Sequence, residues 1–135
     1  MRVLFDTHIL LWALIGDEKL PSKAREFIAS DNDFVCYSSV SIWEVAIKYM
    51  KNPDKINNIS PEALRVFCDS SKFQEISLSA NHVMMLQTLS RPDDAPPHND
   101  PFDRILLAQA KAEDMTFLTH DSLLTYYNED CIVCA

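Results

Sequence analysis

The chain contains a single glycine, Gly16, in 135 residues. Loops that cradle phosphates need glycine wherever the backbone must approach the ligand closely or take a positive φ. Glycine-rich nucleotide-binding motifs are therefore excluded. Long hydrophobic runs are missing too: no apolar stretch would span a bilayer, and no charged segment with an apolar run behind it opens the chain. The expectation is a cytoplasmic protein with no membrane partner. Positive charge is scarce, with 12 Lys and Arg against 20 Asp and Glu and a net charge of -8. That balance argues against holding nucleic acid through the overall field, although cations bound in an acidic site would reverse the sign locally. The four cysteines, Cys36, Cys68, Cys131 and Cys134, include one C-x-x-C pair. A zinc site would need a second ligand pair of similar spacing, and a redox pair should begin a helix, so reduced, mostly buried thiols are expected.

What is present is an alternation of short apolar runs with helical patterns. Arg2 to Phe5, Phe34 to Tyr37, Phe73 to Leu78 and Met115 to Thr119 read as strands, with Cys131 to Cys134 as a last edge strand. Helices are predicted over Ile9 to Ile15, Lys23 to Ala29 capped by Ser22, and Ser41 to Met50 behind the capping pair Ser38-Ser39. Further helices start at Pro61 after Ser60 and at Ser79, and a short one runs from Ser122 to Tyr127. Asn52 to Asn58 reads as loop, and Ser90 to Asn99, rich in proline, is the longest irregular segment. Without repeats or low-complexity segments, this pattern predicts one domain over residues 1 to 135. Its architecture is α/β, a mostly parallel sheet of four to five strands flanked by helices. Met84 and Met85 are expected to fill core space.

The stretch His98 to Ala110 organises the rest. Asp100 stands where an N-cap belongs, Pro101 suits the first helical position, and Asp103 falls in the first turn, facing the helix dipole. Capping accounts fully for Asp100 but not for Asp103. The first and fourth strands each end in an aspartate, Asp6 and Asp121, at the carboxyl edge where open α/β sheets bind ligands. Glu44 lies near the start of a helix that follows another strand. It reads either as part of a buried face or as a solvated partner of Lys48 four residues on. Four acids brought to one edge would repel, so a cation or raised pKa values must offset them. Oxygen ligands without a His or Cys cluster select Mg²⁺ or Mn²⁺ rather than zinc.

These motifs, Leu-Phe-Asp6-Thr-His-Ile-Leu-Leu-Trp, Ser-Ile-Trp-Glu44, Asp-Pro-Phe-Asp103-Arg-Ile-Leu-Leu-Ala-Gln-Ala and Thr-His-Asp121, resemble the PIN-domain family in the right order along essentially the whole chain. More narrowly they are similar to the VapC-type toxins of prokaryotic toxin–antitoxin pairs. The resemblance implies a three-layer PIN-like sandwich and a ribonuclease that uses Mg²⁺ or Mn²⁺. By motif position Asp6, Glu44, Asp103 and Asp121 take the family's catalytic and metal-binding places, with Thr7, Thr119 and Asp100 as accessories. It further implies an RNA substrate, a homodimer and a small VapB-like antitoxin that inserts a peptide near the acidic pocket.

Substrate contact needs positive charge near the acids, and Arg104, Lys48 and Arg91 are candidates, Arg104 foremost. Trp12 and Trp43 read as core or dimer contacts rather than base-stacking platforms. Two other classes compete. A phosphotransfer domain with an aspartyl nucleophile would look for a second aspartate beside the first and a lysine at a later strand end, and neither is present. A PIN-like binding module with little catalysis, acting through a partner protein, would gain by losing the repulsive acids, all four of which are retained.

Overall fold

Every strand residue from Val3 to Phe5 is completely buried, because this first strand lies at the centre of the sheet. In the computed structural model, which describes residues 1 to 135, five strands form one parallel sheet in the order β3-β2-β1-β4-β5. They are β1 (Arg2–Phe5), β2 (Phe34–Ser38), β3 (Gln74–Ile76), β4 (Thr116–Thr119) and β5 (Ile132–Cys134). Alternate β1 residues face opposite layers: Val3 and Phe5 join one apolar cluster and Leu4 the other, the two-sided burial that parallel sheets require.

The helices α1 (Thr7–Ile15), α2 (Ser22–Ala29) and α4 (Pro61–Ser70) supply Ile9, Leu10, Ala24, Phe27, Leu64 and Cys68 to the first cluster. On the other face α6 (Pro101–Ala112) buries an unbroken run from Ile105 to Ala110, and α5 (Ala80–Met85) packs beside it. Between them stands α3 (Ser39–Lys51), which gives Val45 to one cluster and Val40 to the other. No helix is long and apolar enough to cross a membrane.

The parallel α/β architecture and five-strand sheet agree with expectation. Details differ for local reasons. Ser22 is the first residue of α2 rather than its cap; Pro21 holds the N-cap position, and no side chain caps the helix. Asn52 to Asn58 contains a 3₁₀ turn, Pro53–Ile56, started by the proline and closed by Asn57 in the left-handed region. Trp43 and Met84 are more than half exposed, so neither fills the core, whereas Met85 packs against the α6 layer. Cys36 and Cys68 are buried, but Cys131 is half-buried and Cys134 exposed.

With glycine available only at the C-cap of α1 (φ 65°), other chain reversals use Asn57, Asn58, Asp114 and Lys72 at positive φ. Asn and Asp tolerate that region through local hydrogen bonding, whereas Lys has no such compensation. Lys72 is exposed, with φ 63°. Lys72→Gly is therefore expected to stabilise the fold by about 0.5–1 kcal/mol, read as a higher urea midpoint at unchanged slope. A lower midpoint would show that the lysine side chain compensates for its backbone.

Candidate active site

The strand order reverses direction at β1. The chain passes from β1 outward through β2 to β3 and then returns to place β4 on the other side. Such a switch point opens a crevice at the carboxyl ends of the two central strands. Phe5 pairs with Leu118, and the Asp6 N–H donates to the Leu118 carbonyl at 3.0 Å, so Asp6 emerges beside Thr119.

Asp6 does three things at once. Its Oδ1 caps α1 by accepting from the Ile9 N–H (2.9 Å), while Oδ2 accepts from the Thr119 hydroxyl (2.6 Å) and the His120 N–H (3.1 Å). These bonds favour the carboxylate, but burial outweighs them and raises its pKa above the ordinary range. Having given its proton to Asp6, the Thr119 hydroxyl accepts from the Asp121 N–H at 3.0 Å. One hydroxyl thus fixes the spacing of two acids. Asp121 in turn caps the 3₁₀ turn Ser122–Tyr126 through the Leu123 N–H.

Asp100 and Asp103 arrive on α6. Asp100 Oδ1 accepts from the N–H groups of Phe102 (2.9 Å) and Asp103 (3.2 Å), which confirms its cap role. Asp103 is buried, and its carboxyl is pushed up to about 9, first by burial and then by the negative fields of Asp100, Asp6, Glu44 and Asp121. Asp6, Asp100, Asp103 and Asp121 line one cavity of about 300 Å³ whose remaining wall is His8, Trp12 and His120. Trp12 reaches this wall while also packing on the core, its ring edge-on to His120 at 5.0 Å.

Glu44 is buried but does not line the cavity. Its Oε1 accepts from the Thr7 hydroxyl at 2.7 Å and its Oε2 holds Lys48 Nζ at 2.6 Å. Because the Thr7 proton goes to Glu44, Ser41 donates to Thr7, at 2.9 Å. The buried reading of Glu44 holds and the solvated one does not: the pair with Lys48 forms, but from an interior carboxylate. Arg104 is exposed on α6 and makes no ion pair. Arg91 is a brace: its guanidinium donates to the Pro96 carbonyl and lies over the Tyr127 ring at 5.2 Å.

The residue that sequence patterns missed is His98, buried at the end of the proline-rich segment. Its Nε2 stands 3.4 Å from Asp121 Oδ2 and 3.8 Å from Asp103 Oδ2 and has no hydrogen-bond partner. Nδ1 meets the Tyr127 hydroxyl at 3.1 Å. A histidine two residues ahead of the Asp100 cap was visible in the sequence, but its burial against Asp121 depends on where the β4 end lies.

The PIN domain family matches residues 3–128. The chain belongs to the PIN-domain family. Its members are in general nucleases that use divalent metals. Among solved structures, a chain in the crystal structure of VapBC2 from Rickettsia felis bound to a DNA fragment from their promoter superposes with a TM-score of 0.67. Sequence identity is 17%, and the match covers 100% of this PIN chain and 98% of the other. At that identity the likeness is one of fold. No curated protein matches the sequence significantly.

A raised carboxyl pKa has a sign. Between its ordinary value of 3.8 and about 9, Asp103 stays protonated in the folded chain while the unfolded chain has lost that proton. Stability contributed by this group is therefore highest at the acid end of the interval and falls as pH rises through it. Asp6 adds a change of the same direction. In EDTA, the Tm of wild-type protein should fall between about pH 5 and pH 9, and Asp103→Asn should flatten that slope and melt higher than wild type at about pH 8. A wild-type Tm that rises across the interval would contradict the assignment.

Proposed function

We propose that the chain is a VapC-like endoribonuclease that hydrolyses RNA phosphodiester bonds with the help of Mg²⁺ or Mn²⁺. The observation that carries this reading is the convergence of Asp6, Asp103 and Asp121 on one cavity, two of them buried deeply enough to resist ionisation. A purely structural edge has no reason to keep such a cluster, because each buried carboxylate without a counter-charge is destabilising. A hard cation with oxygen ligands fits the donor set.

Asp6, Asp103 and Asp121 would hold the ion, with Asp100 at the rim. Glu44 stands behind them and would reach it only by exchanging Lys48 for the ion. When bound, such an ion lowers the pKa of a water and offsets charge on the phosphate. The chain's own part is to position. Thr119 spaces Asp6 from Asp121, Thr7 orients Glu44, and the rigid start of α6 holds Asp103 in register. A carboxylate at the cavity wall can accept the proton that the attacking water loses.

RNA as the substrate is supported by a second cavity of about 480 Å³ that shares His8 with the acidic one and is lined by Lys48, Lys51, Lys55 and Asn52. In a chain of net charge -8 these lysines form a local basic track beside the acids, suited to the flanking phosphates of a single strand. A VapB-like antitoxin and a second copy of the chain are the proposed partners. The antitoxin accords with the complex named for the Rickettsia felis structure, and the second copy with the outer face of α3, where Trp43 and Met50 are largely exposed. Apolar surface of that kind marks protein contacts.

The test is cleavage of a mixed RNA pool by purified, partner-free protein, first in EDTA and then with Mg²⁺ or Mn²⁺. Cleavage is expected only with metal, and Asp6→Asn or Asp103→Asn should lower it by roughly 100-fold or more while the protein stays folded in EDTA. No cutting by wild type with either ion would favour the binding module. Once cleavage is established, Lys51→Glu with Lys55→Glu should raise KM with kcat little changed. The same pair should reduce the slope of log affinity against log salt by about two. An unchanged slope would place the RNA backbone elsewhere.

A further inference from the structure

We propose that His98 is a nitrogen ligand of the ion in the acidic cavity, making the site a mixed nitrogen and oxygen centre that favours Mn²⁺ over Mg²⁺. This rests on the metal-dependent reading above but goes beyond its all-carboxylate ligand set. The starting observation is the stranded Nε2, on a side chain about 2% exposed, which stands behind the cavity lining beside Asp103 and Asp121 and is bonded to neither.

The tautomer decides what this atom can do. If Nε2 carries the proton, it is a buried donor 3.4 Å from Asp121 with no hydrogen bond formed, an arrangement that is costly to leave unmet. If Nδ1 carries it, Nδ1–H donates to the Tyr127 hydroxyl at 3.1 Å, and Nε2 presents its lone pair to the space between Asp103 and Asp121. A lone pair 3.4 Å from the Asp121 carboxylate, with the Asp103 carboxyl at 3.8 Å too far to donate to it, is unfavourable unless a cation lies among them. Metal-bound imidazoles are commonly held in this way, by a hydrogen bond on the other ring nitrogen.

The separations also suit one ion. Adjacent ligands of a six-coordinate ion with bonds near 2.1 Å lie about 3.0 Å apart and opposite ones about 4.2 Å. Nε2 is 3.4 and 3.8 Å from its two neighbours, and one ligand atom from each of His98, Asp103 and Asp121 falls within 4.8 Å of the others.

The loop that carries His98 is braced on the Tyr127 side of the site. Ser90 accepts from the Asn128 N–H at 3.0 Å, and Arg91 bonds the Pro96 carbonyl and lies over Tyr127. The irregular proline-rich segment is thereby fixed at both ends of its span, and its product is one oriented imidazole. Imidazole suits first-row transition ions, whereas Mg²⁺ prefers oxygen donors.

The test measures ion binding directly, on full-length protein. Mn²⁺ affinity is read from the EPR signal of free Mn²⁺, and Mg²⁺ affinity from its competition with Mn²⁺. His98→Ala and the larger His98→Gln should each weaken Mn²⁺ at least ~10-fold and Mg²⁺ less than ~3-fold. Tyr127→Phe, which leaves the imidazole but frees its orientation, should show the same selectivity change at smaller size. If the His98 variants shift both ions equally, or neither, the imidazole is a brace between carboxylates and the proposal is overturned. If wild type binds neither ion, the metal-dependent reading falls with it; Mn²⁺ binding by wild type separates the two failures.

Discussion

The burial and crowding of carboxyl groups at the carboxyl ends of β1 and β4 is the constraint around which this molecule is built. The two strands are neighbours only because the chain returns across β1 after β3, and that return brings Asp6 and Asp121 together with the start of α6. Four aspartates around about 300 Å³ would drive the edge apart if held by flexible side chains. Instead each backbone is anchored by a helix or 3₁₀ start, and Asp6, Asp100 and Asp121 each spend one oxygen on a cap. The remaining carboxylate, Asp103, has no such bond, and its carboxyl is pushed up to about 9. Asp103 is thus held at the start of α6 with no hydrogen bond or counter-charge to favour its ionised form.

Much of this was legible in the sequence because it is local. A cap-then-proline start at Asp100-Pro101, apolar spacing after it, and strands ending in Asp6 and shortly before Asp121 are signals carried by adjacent residues. The parallel sheet follows from alternation alone. What could not be read is what depends on the crossover. The burial of His98 requires Tyr127 and Asp121 to lie beside it, from segments about 25 residues further along the chain. Glu44 looked equally like an interior or a surface residue because its distinguishing partner, Thr7, comes from a different helix. Trp43 stands exposed, edge-on to Phe102 at 4.9 Å, where helical spacing left core and dimer contact both open; the pattern marks an apolar position without saying whether this chain or another covers it.

Charge was the least transferable signal. A net charge of -8 describes the average field and argues against nucleic acid, yet lysines of α3 and the following 3₁₀ turn collect around a cavity that adjoins the acids. Local fields at short range dominate binding once screening has removed distant charges. The same protein is thus acidic overall and carries a local cluster of lysines beside the edge where its aspartates meet. Arg91 illustrates the opposite lesson: a basic residue near the site is occupied in holding a loop, and its charge does not make it a substrate contact.

A divalent ion among Asp6, Asp103 and Asp121 would show itself in anomalous diffraction from crystals grown with Mn²⁺. An anomalous peak is expected within roughly 2.0–2.4 Å of carboxylate oxygens from at least two of these three residues. A saturating Mn²⁺ concentration that leaves this cavity without a peak, or that puts the only peak elsewhere on the molecule, would contradict it.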